Sequence, residues 1–191
     1  MHLKQKKKLI FFMSKKTKIV AIQGDKLGTI NKDTDTSLLL ALEAQRIGYK
    51  IYYYETKNLN LINGKVIAHI KEVKFFDNKK KFYQIIRQKL FDLSKANYVL
   101  MRQNPPFNMD YITATFFLEH LPKNVKVINN PVSVRNVSEK FYSVNFLKYM
   151  PPTIFTKNIA EIKKFLKKYK KIVIKPIHGY GGKNILFINR L

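Results

Sequence analysis

The chain is 191 residues long, 46% hydrophobic and 13% aromatic, with 37 Lys+Arg against 12 Asp+Glu and a formal net charge of +25. That length supports one large domain or two small ones, and the apolar content excludes a wholly disordered tail. The lack of cysteine excludes a disulfide framework, a thiolate zinc site and a Cys nucleophile, and the apolar run at residues 9–13 is five long, far short of the roughly 20 of a membrane span. A soluble, cytoplasmic protein is the expectation.

Residues 1–16 form a basic extension, with Lys6-Lys7-Lys8 and Lys15-Lys16 around a short apolar patch. It is expected to be disordered; it lacks the apolar stretch and cleavage site of a secretory signal, and Met13-Ser14 offers a second start. Residues 18–23 (KIVAIQ) read as a buried strand, with Gly24, Asp25 and Gly28 in the loop behind it. Thr34-Asp35-Thr36 offers N-cap side chains for a helix continuing over residues 38–47 and stopping at Gly48. Residues 49–54 are aromatic and β-branched, a second strand, and so short a crossover implies a parallel pair. Asn63-Gly64 between Leu61-Ile62 and Val66-Ile67 signals a hairpin. The stretch 71–95 yields only a solvated turn at Lys79-Lys80-Lys81. Residues 98–101 are a further strand running toward Pro105-Pro106, 110–121 a helix, and 125–129 the next strand. The pattern predicts an α/β domain over residues 17–131, an open and mainly parallel sheet with helices across it.

Beyond residue 131 the pattern changes. Ser138 is placed to cap a helix running to about Met150, which Pro151-Pro152 break, and 153–156 reads as a short strand. Asn158 caps the next helix, where Ile159, Ile162, Phe165, Leu166 and Tyr169 share one face. The lysines at 163, 164, 167, 168, 170 and 171 fall mainly elsewhere around it, as a solvated face does. Residues 171–177 and 184–188 are two strands joined by a glycine-rich turn.

That turn, His178-Gly179-Tyr180-Gly181-Gly182-Lys183, is the sharpest local feature. Glycines let the backbone approach a ligand and turn several N–H groups inward, which suits phosphate oxygens, and Lys175 and Lys183 flank the loop with positive charge. A plain glycine hairpin is the alternative. The spacing fits neither a Walker loop nor a Rossmann fingerprint. Gly179 to Gly182 spells the GXXG of KH modules, but a strand on each side argues against that setting. Arg102 closes a predicted parallel strand, where open α/β sheets bind ligands; it is either an anchor for a substrate carboxylate or one half of a structural salt bridge. His2, His69, His120 and His178 have no metal-ligand spacing, and no catalytic constellation is visible.

The basic balance also has two readings. Clustered Lys neutralises phosphates, so a nucleic-acid-associated α/β domain is one. However, only five of the 37 basic residues are arginine, on which base-edge readout leans. Lys, Ile and Asn have the codons richest in A and T, so a biased coding sequence gives the same composition. Nucleic acid is then only an incidental partner.

Taken in order, Ile30-Asn31-Lys32-Asp33-Thr34-Asp35-Thr36-Ser37, Ala41-Leu42-Glu43-Ala44-Gln45-Arg46-Ile47-Gly48-Tyr49, Leu100-Met101-Arg102-Gln103-Asn104-Pro105-Pro106-Phe107 and Tyr111-Ile112-Thr113-Ala114-Thr115 resemble bacterial glutathione synthetase. Asn129-Asn130-Pro131, Arg135-Asn136, Glu139-Lys140-Phe141 and Ile174-Lys175-Pro176 before the glycine loop continue the resemblance, which covers about residue 17 to the end. It implies an ATP-grasp ligase, with residues 132–191 as the start of the ATP-grasp domain after the N-terminal α/β domain. The implied reaction joins γ-glutamylcysteine to glycine through an acyl phosphate, giving glutathione, ADP and phosphate. It also implies a homo-oligomer, with Lys140 and Lys175 contacting ATP and Gly179, Tyr180, Gly181 and Gly182 forming the loop that closes over its phosphates.

The chain departs from the family pattern at Asn104, where the family usually has Asp, at Lys26, which replaces a proline, and at His178 and Lys183 around the loop. The resemblance further implies magnesium bound with ATP. No Asp or Glu follows Glu161, so the magnesium ligands are expected beyond residue 191, and residues 1–191 alone are expected to be an incomplete, inactive part of the enzyme. An ATP-grasp ligase for another acid and amine is the remaining alternative.

Overall fold

The computed structural model describes residues 17–189 apart from residue 79. The basic extension at 1–16 and the first lysine of the 79–81 turn therefore lie outside the described residues.

Strand β1 (Ile19–Gln23) is buried along its length, as a strand with both faces covered must be. Helix α1 (Thr36–Arg46) starts where Asp35 accepts a hydrogen bond from the Ser37 N–H at 2.7 Å, and the chain reverses at Gly48, whose φ of +90° is natural only to glycine. Strand β2 (Lys50–Tyr54) then pairs parallel with β1, Gln23 opposite Tyr54. Strands β3 (Leu59–Ile62) and β4 (Lys65–Phe75) form the expected hairpin, with positive φ at both Asn63 and Gly64. Strand β5 (Tyr83–Asp92) runs back antiparallel along residues 67–75 of β4, so the stretch left without clear elements is the second half of a long hairpin.

Strand β6 (Tyr98–Met101) lies parallel on the other side of β1, helix α2 (Met109–Glu119) begins at the Asn108 cap, and β7 (Lys126–Ile128) adds parallel to β6. The sheet order is β3-β4-β2-β1-β6-β7, with β5 on the free edge of β4. Only β4 opposes the common direction, so the expectation of an open, mainly parallel α/β sheet holds.

Strand alternation divides the core between the two faces. Val20, Ile22, Ile51, Tyr53 and Leu100 pack with Leu38 and Ala41 of α1. Ala21, Tyr52, Tyr54, Val99 and Met101 pack with Ala114 and Leu118 of α2.

After β7 two expectations are corrected. No helix runs from Ser138 to Met150. Asn130 instead caps a short helix α3 (Pro131–Asn136), with Pro131 at its first turn. A 3-10 segment (Phe141–Tyr149) follows without a side-chain cap and kinks at Phe146. Residues 153–156 form no strand and lead without regular structure into the Asn158 cap. Asn158 does cap helix α4 (Ile159–Tyr169), accepting from the Ala160 N–H at 2.8 Å. Strands β8 (Ile172–Ile174) and β9 (Leu186–Ile188) form their own antiparallel pair. No helix among the described residues is long and apolar enough to cross a membrane.

Candidate functional site

Strand ends and a helix start meet at one edge of the main sheet. β1 stops at Gln23 and β6 at Met101, directly opposite one another. The loops after them therefore leave side by side at the carboxyl ends of parallel strands, where open α/β sheets bind ligands. The β1 loop returns as the first turn of α1, and the β6 extension carries Arg102, whose N–H donates to the Gln23 carbonyl at 2.7 Å. Between them lies a polar cleft of about 260 Å³, lined among others by Asn31, Asp35, Thr36, Ser37, Arg102 and Asn104.

Arg102 is oriented by hydroxyls. Its Nη2 donates to Thr36 Oγ1 at 2.6 Å and its Nε to Ser37 Oγ at 3.3 Å. No carboxylate forms an ion pair with it among the described residues, so the salt-bridge alternative is not what the structure shows. Hydroxyl partners leave the guanidinium free of an ion pair among the described residues, with Asp35 the carboxylate in the same cleft, and the N-terminus of α1 adds a positive end of the helix dipole. A guanidinium so held favours an anionic group, at about 1.5–3 kcal/mol per charged hydrogen bond.

Asn104 lines the cleft and is held by Asp25 behind it. The Asn104 side-chain amide donates to Asp25 Oδ2 at 2.7 Å and its N–H to Oδ1 at 3.2 Å. Tyr53 donates its hydroxyl to the Asp25 carbonyl at 2.7 Å. Burial holds that phenol well above the usual tyrosine range, and the charges of Asp25, Asp35 and Glu55 push the same way; it is a fixed donor at any ordinary pH. The same phenol explains Gly24, since a Cβ there would collide with the Tyr53 ring and hydroxyl. Tyr111, at the start of α2, is also raised by burial, with Arg102 pulling in the opposite direction.

The glycine loop is a second, separate feature. Gly181 and Gly182 take φ of +61° and +72°, conformations open to glycine at little cost. Lys140, 39 residues away in sequence, donates from Nζ to the Gly179 carbonyl. Lys175 is exposed just past β8, and Lys183 Nζ lies 5.2 Å from the centre of the Tyr180 ring. The structure thus brings Lys140 to Gly179 of the loop, while Lys175, Tyr180, Gly181 and Gly182 make no hydrogen bond with it among the described residues. Arg102 stands apart, with no hydrogen bond to that group among the described residues.

Sequence reasoning found Arg102 and the loop but took Thr36 only as a cap residue, gave Ser37 no role of its own, and did not join Asp25 to Asn104. The signal for Thr36 and Ser37 was their place in the first turn of a helix leaving β1, the strand that neighbours the one bearing Arg102. Nothing local pairs positions 25 and 104; that contact exists only because β1 and β6 are adjacent. Among the described residues no three His, Cys, Asp or Glu side chains are grouped to hold a metal ion.

Two family models match the chain in sequence order. They are prokaryotic glutathione synthetase, N-terminal domain, over residues 19–135, and prokaryotic glutathione synthetase, ATP-grasp domain, over residues 139–191. The chain belongs to the prokaryotic glutathione synthetase family. Relatives named glutathione synthetase include one from Mesorhizobium japonicum, 39% identical over 89% of this chain and 54% of its own length. One from Buchnera aphidicola subsp. Baizongia pistaciae is 42% identical over 86% of this chain and 51% of its own length. A third, from Buchnera aphidicola subsp. Acyrthosiphon pisum, is 37% identical over 93% of this chain and 56% of its own length. The chain spans about half the length of the curated relatives it matches. Membership fixes how the two features divide, the cleft lying within the N-terminal match and the loop within the ATP-grasp match.

Proposed function

We propose that this protein serves a cytoplasmic, ATP-dependent ligase, homo-oligomeric when whole, that joins γ-glutamylcysteine to glycine and gives glutathione, ADP and phosphate. Residues 17–131 are the substrate side and residues 132–191 belong to the nucleotide side. The observation that carries the reading is the Arg102 guanidinium, held by the hydroxyls of Thr36 and Ser37 and not by an ion pair, in a polar cleft, in a chain matched in order by both domains of one ligase family. Arg102 suits a substrate carboxylate, which it takes bidentately.

On the nucleotide side, Lys140, Lys175 and the N–H groups of residues 179–182 would hold the phosphates of ATP. Phosphorylating a carboxylate turns a poor electrophile into an acyl phosphate, and fixed cations stabilise the charge that leaves. Closing the loop keeps water from that intermediate. The residues present do not fit magnesium. No carboxylate follows Glu161, and no grouped carboxylates stand near the loop among the described residues.

Calorimetric titration of the purified chain tests the reading. Saturable binding of γ-glutamylcysteine is expected, weakened about 10- to 100-fold by Arg102→Leu, the loss of one or two charge-assisted hydrogen bonds. ATP binding should fall with Lys175→Ala and be untouched by Arg102→Leu. A wild-type chain that binds neither ligand, or an Arg102→Leu chain that binds γ-glutamylcysteine as well as wild type, would overturn it.

A further inference from the structure

Gln23 and Gln103 are an anomaly of the core. Gln23 is fully buried and Gln103 only 8% exposed, and a single bond joins their side chains, from Gln23 Nε2 to Gln103 Oε1 at 2.9 Å. Gln23 Oε1 and Gln103 Nε2 have no partner, nor has the hydroxyl of Tyr54, the residue opposite Gln23 in register. One hydrogen bond between neutral amides returns less than two orphaned buried polar atoms cost, and an apolar pair of the same shape would avoid the cost. Stability does not explain why amides stand here.

Direction does. The end of β1 grips the segment after β6 at each of three successive residues. The Gln23 carbonyl takes the Arg102 N–H at 2.7 Å, the Gln23 side-chain amide donates to Gln103 Oε1, and Asp25 just beyond the strand takes both the N–H and the side-chain amide of Asn104. Neighbouring side chains on extended backbone point to opposite sides. With Gln103 drawn into the interior, Arg102 and Asn104 turn outward, and both line the cleft. A hydrogen bond is directional where an apolar contact is not, so the amide pair fixes the rotation of the segment about its own axis.

We propose that the buried Gln23–Gln103 pair is a positioning device: it gives up stability to hold Arg102 and Asn104 in a single orientation toward the bound substrate. The identity of that substrate rests on the γ-glutamylcysteine reading above, while the geometry stands without it.

The test is the double variant Gln23→Met/Gln103→Met, which removes the polar atoms at nearly constant volume, with Gln103→Met alone as a second variant. The double variant is expected to melt at or above the wild-type temperature. Its Asn104 amide should exchange at least about tenfold faster while Val99, Leu100 and Met101 in β6 keep their wild-type protection. Its affinity for γ-glutamylcysteine should weaken about tenfold. An unchanged Asn104 exchange rate would overturn the proposal, as would equal loss of protection along β6. Loss of the cooperative unfolding transition in both variants would also overturn it, because the pair would then be carrying the fold. A wild-type chain that fails to bind γ-glutamylcysteine sinks the functional reading alone, and the exchange measurement still decides this one.

Discussion

Position 104 shows how one atom sets the character of the cleft wall. Asn104 offers Asp25 an amide N–H, and both Asp25 oxygens are used by this one residue. Aspartate, the residue the family pattern leads one to expect here, would set a second carboxylate against the first. Two carboxylates at that spacing share a proton readily but repel when both ionise. In an Asn104→Asp variant the folded state would therefore hold a proton that the unfolded chain has released, and its stability falls as pH rises through the carboxylate range. The variant should melt with the wild type near pH 4 and fall below it by neutral pH, by about 1 kcal/mol given the solvent access of the site. Thermal melts at the two pH values check this, and parallel pH profiles would show that the Asn104 side chain is indifferent to Asp25.

Capping residues made much of the fold legible from sequence. Asp35 and Asn158 lie where their helices begin because a short acceptor before an amphipathic run satisfies N–H groups that the helix cannot. Asn63-Gly64 fixed the β3–β4 turn for a similarly local reason. Strand β5 stayed hidden because it is an edge strand exposed on both faces. Ile85, Arg87 and Lys89 are not sorted into apolar and polar sides, so period 2 is lost. The 3-10 segment at 141–149 has aromatic residues at helical spacing but no cap, and its Ser138 gives only a backbone carbonyl, to Tyr142. Among the site residues Arg102 was legible from its place after a parallel strand, whereas Gln103 was not, since its partner is 80 residues away.

Asp92 ends β5 and accepts the Ser94 N–H at 3.0 Å, starting a 3-10 turn over Leu93–Lys95. Its hydrogen bonds with Ser94 hold its carboxyl below the usual aspartate range, and Lys95 and Lys65 add to the effect. A carboxyl with a lowered folded pKa contributes stability at neutral pH and loses it as pH falls through the acidic range. Asp92→Ala should cost about 1 kcal/mol at pH 7 and progressively less below about pH 4. A cost that does not change with pH would assign the effect to the turn backbone and not to the charge.

Over the whole molecule, charge is the property that no single residue decides. The acids are largely engaged. Glu43, Glu55, Glu72, Glu119, Glu139 and Glu161 each form ion pairs, and Asp25, Asp35 and Asp92 accept backbone N–H groups. The lysines outnumber them, and those at 163, 164, 167, 168, 170 and 171 are all exposed along and just after α4. Only Lys164 of that group pairs with a carboxylate, Glu161, among the described residues. Such a field attracts any polyanion, yet it offers no arginine along α4 to read a base edge. Duplex DNA should therefore bind at low ionic strength, equally for unrelated sequences. It should be released as salt approaches about 0.2 M, where displaced counterions no longer favour binding and the screening length is below about 8 Å. A filter-binding series across salt and across two unrelated duplexes measures this directly. Binding that persists at that salt, or that separates the two duplexes, would make the basic face a recognition surface, because counterion release alone cannot distinguish sequences or survive screening.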